Sequence, residues 1–370
     1  MQRTRPPRCA PPPRAGSASI GGLFWLIALA LFVLPFLRTP DALSPEGDDP
    51  SRAAQRERFD AQFGDEGKVF PDLDFAADVA NFESELGLPL GEHIAQASAD
   101  WFAFDAQRLR DSGVFDVERL RSGEEAYATH CIGCHGQQGD GAGPAARHLA
   151  PRPRNFRKGL FKFTSTDAGA RPRRPDLLRT ITEGLVGSSM PEFRLLPEAT
   201  RLDLVEYVRW LGVKGEFEQL ALDVAWEDEE LPDTEDLAEI VLGRWHPDDL
   251  RATFPGAPEG PYDAESIARG EALFNDVQGA NCAACHGPRG AGDGPTADSY
   301  LDDWGYPIRP RNLQLGVFRA GQESVDLYRT IASGIKGTPM PSYAGAMTAE
   351  QIWDLVHFIQ SLSAPEGGAK

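Results

Sequence analysis

One frame, Cys-x-x-Cys-His, occurs twice in this chain: at Cys131, Cys134 and His135, and again at Cys282, Cys285 and His286. The copies are the anchors of a longer internal repeat. The stretch ITEGLVGSSMP corresponds to IASGIKGTPMP, which sets Met190 against Met340, and Tyr207 and Leu211 correspond to Phe358 and Leu362. The offset is 151 residues at the cysteines and 150 at the methionines. Asn155 matches Asn312 at 157, so the second copy carries a longer insert before its PRN triplet. A period this long means tandem domains and not a solenoid.

Each copy opens on a helical pattern, LRSGEEAYATHC or IARGEALFNDVQGANC, and closes on another, ATRLDLVEYVRWL or TAEQIWDLVHFIQSL. Gly- and Pro-rich loops, GDGAGP and GAGDGP, lie between them and read as turns. Gly123 and Gly270 are placed to let the opening and closing helices cross closely. Tyr127 and Phe274, four residues on, share that face and are expected to meet Tyr207 and Phe358. The predicted fold class is all-α, two tandem domains each wrapped around something large.

Four of the five cysteines belong to the two frames. Two sulfurs at this spacing reach the two vinyl groups of one porphyrin, and the histidine that follows is held beneath the iron. The frames therefore read as two covalent haem c attachment sites, with Cys131, Cys134, Cys282 and Cys285 as the thioether residues and His135 and His286 as axial ligands. Zinc would need two further ligands at matching places in each copy, and His130 and His148 have no counterparts in the second. A redox dithiol does not explain the histidine. Of the four methionines, only Met190 and Met340 match across the copies, each followed by proline, 55 and 54 residues after the histidine. A soft thioether favours ferrous iron, which makes them the candidate sixth ligands. Met347 reads as packing, and His93, His246 and His357 as surface or structural residues. Haem carboxylates need cationic company. Arg154 and Arg311, in PRPRNF and IRPRNL, are the candidates, with Arg179 and Arg329 next.

Both copies resemble class I cytochromes c, in C-I-G-C-H with Met190, in C-A-A-C-H with Met340, and in the loops and closing helices around them. The whole is similar to membrane-anchored dihaem cytochromes c of bacterial respiratory chains. That resemblance implies two haem c groups, one-electron transfer and redox protein partners, and no catalytic residue. It leaves open a cytochrome c subunit of a larger oxidoreductase or oxidase complex. A dihaem peroxidase would need a releasable sixth position, and the matched methionines count against one.

The flanks divide as follows. Residues 1–38 hold five arginines and no acid, and 20–37 are an uncharged apolar run. At ~1.5 Å per residue this run would span roughly 27 Å as a helix, enough to cross a bilayer core. Arginines before it place the N-terminus in the cytoplasm and the rest in the periplasm, at the bacterial inner membrane. A cleaved signal peptide is the alternative, although no good A-x-A site follows. Cys9 precedes the run and reads as a reduced cytoplasmic thiol. Residues 39–115 read as a stalk and then a helical segment packing on the first domain, which covers 116–214. Residues 215–262 read as an acidic linker and 263–365 as the second domain. Between Glu216 and Asp249 there are 13 acids against Arg244 alone, the composition of a solvated, partly disordered connector. The net charge of −19 excludes a nucleic-acid role, which needs a basic face.

Overall fold

A computed structural model describes residues 75–149, 151–248, 250–252 and 258–363. The apolar run at 20–37, Cys9 and the 39–60 stretch lie outside them. Among the described residues no helix is long and apolar enough to cross a membrane. Regular structure there is helical, apart from isolated bridges pairing Thr166 with Ala252 and Leu301 with Pro307.

In chain order, α1 (Phe75–Leu86), α2 (Leu90–Phe102) and α3 (Gln107–Asp111) precede the first repeat. That repeat contains α4 (Val117–His130), α5 (Ile132–His135), α6 (Arg174–Glu183) and α7 (Glu198–Asp228), followed by α8 (Thr234–Arg244). The second repeat runs α9 (Ala264–Asn275), α10 (Cys282–His286), α11 (Ser324–Ser333) and α12 (Ala349–Ser363).

The opening and closing helices of each repeat cross at the expected glycine. A Cβ on Gly123 would lie 2.3 Å from the Asp203 carbonyl oxygen of α7, and one on Gly270 would lie 2.0 Å from that of Asp354 on α12. Only hydrogen fits at either place. The aromatic pairs form beside them, with ring centroids 5.1 Å apart for Tyr127–Tyr207 and 5.2 Å for Phe274–Phe358.

The flanking segments differ from the expected connector. Helix α7 does not stop near 214 but runs on to Asp228, and α8 follows it, so the part of the supposed acidic linker up to Arg244 is mostly helix. The reason is a buried stripe that the acid count conceals. Phe217, Ala221, Leu222 and Ala225 of α7 and Leu237, Ala238, Val241 and Leu242 of α8 are buried, as is Trp245 beyond them. They form one core with Phe82 of α1, Leu90, Ile94, Trp101 and Phe102 of α2, and the interior of the first repeat. The 75–115 segment is thus a structural part of that repeat. Some of the acids also start the helix: Asp233 caps α8, its carboxylate accepting from the backbone N–H groups of Glu235 and Asp236.

Two acids of the supposed linker are buried and paired instead of solvated. Glu216 takes the guanidinium of Arg171 through both oxygens, Arg244 at 2.8 Å, and the Trp245 indole N–H at 2.8 Å. Glu218 pairs with Arg157 at 2.9 Å and with Lys214, and accepts from the Ser98 hydroxyl of α2 at 3.1 Å. Removing one partner of such a group leaves the others charged and buried. Glu216→Ala is therefore expected to cost about 3–5 kcal/mol, read as a lower denaturant midpoint with an unchanged slope.

Candidate functional site

Each Cys-x-x-Cys-His frame sits on a single tight helical turn, directly after the opening helix in the first repeat and after six intervening residues in the second. In the first repeat the Cys131 N–H donates to the Tyr127 carbonyl at 2.8 Å and the His135 N–H to the Cys131 carbonyl at 2.9 Å. The Tyr127 hydroxyl donates to the Gly136 carbonyl at 2.8 Å and holds the far end of the turn. The four cysteines of the frames are half-buried and unbridged. Burial pushes the thiol pKa of Cys131 up to about 12 and that of Cys282 up to about 11. Neither offers a thiolate near neutrality, which is the opposite of what a dithiol redox pair needs.

The two histidines are prepared identically. His135 Nδ1 lies 3.0 Å from the Arg154 carbonyl oxygen, and His286 Nδ1 lies 3.2 Å from that of Arg311. A carbonyl only accepts, so Nδ1 carries the proton and the Nε2 lone pair remains free. Desolvation lowers both imidazole pKa values, which keeps the rings neutral and able to ligate. Phe156 stacks on His135 at 4.6 Å and Phe161 stacks on Phe156 at 5.5 Å, fixing the ring plane.

The methionine loops also superimpose as hydrogen-bond patterns. Leu185 N–H donates to the Met190 carbonyl at 3.1 Å, and Ile335 N–H donates to that of Met340 at 3.1 Å. The Ser188 and Thr338 hydroxyls accept from the Met190 and Met340 N–H groups at 3.2 and 3.3 Å. Gly184 and Gly334 open these loops at φ +66° and +69°, where a side chain would be strained and would strike the Pro191 or Pro341 backbone. Both methionines are half-buried. Met340 packs against the second core, as do Met347, Cys282 and Ala283.

The arginines do something the sequence does not announce. Arg154 and Arg311 meet the histidines through their backbone carbonyls, and their guanidinia go elsewhere. The Arg154 guanidinium stacks 3.4 Å above the ring centroid of Trp304. Trp304 belongs to the insert of the second repeat, and this insert builds a seam between the repeats. Across it, Lys162 pairs with Asp302 at 3.0 Å and Lys158 donates to the Asp303 carbonyl at 2.6 Å. Lys336 donates to Thr166 Oγ1 at 2.5 Å and the Ala170 carbonyl at 2.6 Å, and the Ser333 hydroxyl donates to the Thr164 carbonyl at 2.9 Å. Arg179 and Arg329 face the same seam, each beside an aspartate of its own helix, Asp176 at 3.8 Å and Asp326 at 2.7 Å. Burial pushes Lys162 and Lys336 each down to about 8 and Arg154 to about 10. Cations outnumber acids here, and the buried Nε1 of Trp304 has no hydrogen-bond partner among the described residues.

This donor set fits a haem in each repeat: two thiols three residues apart, a neutral imidazole with a free lone pair, a thioether on a stiff loop, and a cationic seam for carboxylates. Lys162, Lys336 and Trp304 were not picked out from the sequence. Trp304 lies in an insert with no counterpart in the first copy, so comparing the copies could not expose it. The lone tryptophan in an otherwise polar turn, DDWGY, is the signal that was there.

Residues 267–363 match the family described as cytochrome c, and residues 118–208 match the family described as cytochrome c oxidase, cbb3-type, subunit III. No curated protein gives a match. Among solved structures, a chain of the Kuenenia stuttgartiensis reducing HAO-like protein complex is 29% identical, with a TM-score of 0.53, over 66% of this chain and 96% of that one. Each repeat thus has a c-type match of its own, which gives the chain two c-type domains, and domains of this kind bind haem c and transfer electrons.

Proposed function

We propose that the chain is a dihaem cytochrome c that passes single electrons between respiratory partners at the periplasmic face of the inner membrane, tethered by the 20–37 run. The observation that carries this is the duplication of one complete ligand arrangement: imidazole Nδ1 on a carbonyl, Nε2 free, and an identically bonded methionine loop, in both repeats. In this reading His135 and Met190 hold one iron and His286 and Met340 the other. Cys131 with Cys134, and Cys282 with Cys285, form the thioethers. Bound haem supplies an iron that gains or loses one electron without bond-making. The chain's own residues would supply two protein ligands to each iron. They also exclude water through the aromatic packing of Phe156, Phe161, Phe274 and Phe358, and bring the two sites to a common seam.

A redox titration followed by optical spectra tests this. Two low-spin centres with a Met–iron charge-transfer band are expected, and a high-spin five-coordinate centre in the unmodified protein would overturn the reading. The net charge of −19 favours a basic partner, so electron-transfer rates are expected to fall as salt rises from ~0.01 to ~0.15 M. A second reading, membership of a larger oxidoreductase complex, is favoured by the likeness to a chain of a reducing HAO-like complex. Extraction from membranes in mild detergent separates the two: a lone dihaem species excludes the complex.

A further inference from the structure

The seam is crossed in a way that neither repeat shows alone. Arg154 places its carbonyl on His135 of its own repeat, yet its guanidinium lies on Trp304 of the other. The Trp304 ring in turn covers the second methionine loop: a Cβ on Gly337, three residues before Met340, would lie 2.2 Å from it. Arg311 mirrors this. Its carbonyl is on His286, while its Nη2 lies 2.8 Å from where a Cβ on Gly187 would be, three residues before Met190 in the first repeat. Each arginine thus serves one site with its backbone and points its side chain at the other repeat, Arg311 directly at the methionine loop and Arg154 at the Trp304 ring that covers it.

A second observation points to an anion at this place. Trp304 is 3% exposed, and its Nε1–H has no partner among the described residues. An unmet buried donor costs free energy that a carboxylate would recover. The groups beside the indole are cationic, Arg154 at 3.4 Å and Lys162 at 5.6 Å from the ring centroid. The acids beside Arg154 are Asp302, which already accepts from Lys162 and from the Trp304 backbone N–H, and Asp303.

We infer that the haem carboxylates are bound in trans, with Arg311 of the second repeat completing the first site, and Arg154 of the first repeat joining Trp304 at the second. This rests on the dihaem reading above. A guanidinium beside a centre that gains positive charge on oxidation disfavours the oxidised form and holds the midpoint potential up. Arg154 and Arg311 are positioning residues, and the potential of each centre reports on the arginine of the opposite repeat.

The test uses the full-length, haem-loaded protein, with the two midpoints assigned by the shift that Met190→His causes at the first centre. Arg311→Gln is expected to lower the first-repeat midpoint and to move the second-repeat midpoint much less. Arg154→Gln should do the reverse. Arg311→Lys keeps the charge and should restore most of the first-repeat midpoint. If Arg311→Gln costs haem, the lysine variant carries the test, with a smaller shift at the same centre. A shift confined to the second-repeat centre, or none at either, overturns the trans assignment and leaves two intact low-spin centres. Absence of two such centres in the unmodified protein overturns the dihaem reading instead.

Discussion

Met190→His is expected to lower the midpoint potential of one centre by on the order of 0.2 V, within the ~0.8 V range that axial ligands command, and to leave the other nearly unchanged. A thioether stabilises ferrous iron, whereas a second imidazole favours the ferric form. The effect stays local because each methionine loop is closed by bonds within its own repeat, Leu185 to Met190 and Ile335 to Met340. Spectroelectrochemical titration reads the change as one wave moving away from the other, with loss of half of the Met–iron band. Met347→Leu is the control. Met347 packs on the second core, its N–H donating to the Tyr343 carbonyl at 2.9 Å, and its replacement should move neither wave. If both waves stayed in place in the Met190 variant, that methionine would not be the ligand.

Gly270→Val is expected to cost about 3 kcal/mol or more. The Cβ position already lies 2.0 Å from a carbonyl oxygen on α12, and backbone cannot rotate away as a side chain can. The two helices must separate, which opens the Phe274–Phe358 contact and loosens the turn carrying Cys282. For a domain of about 100 residues this lowers the unfolding temperature by roughly 12 °C or more. Calorimetry should show an early transition that carries away one Met–iron band and leaves the first repeat folded. An unchanged melting profile would mean that the helices do not cross there.

Both effects rest on features legible in the chain itself, because the copies check each other. A glycine or methionine that recurs at the same offset is filtered from its neighbours, and so the crossing, the thiols, the histidines and the methionine loops could all be named. The same comparison is blind wherever the copies differ. Trp304 sits in an insert, and the cross-seam bonds of Lys162 and Lys336 have no sequence period. Arg154 and Arg311 were found by matching, but a residue letter does not say whether the backbone or the side chain does the work. The 216–249 stretch conceals its helices for another reason. Its acids dominate the composition, whereas its fate is decided by Phe217, Ala221, Leu222, Leu237 and Trp245, which meet a partner face supplied by residues far upstream, 79–102.

That upstream face makes the two halves unequal heirs of one duplication. The second repeat closes on a core of its own and leans on the first only across the polar seam. The first has become dependent on borrowed helices on both sides, and cannot be lifted out at the limits that the repeat itself suggests.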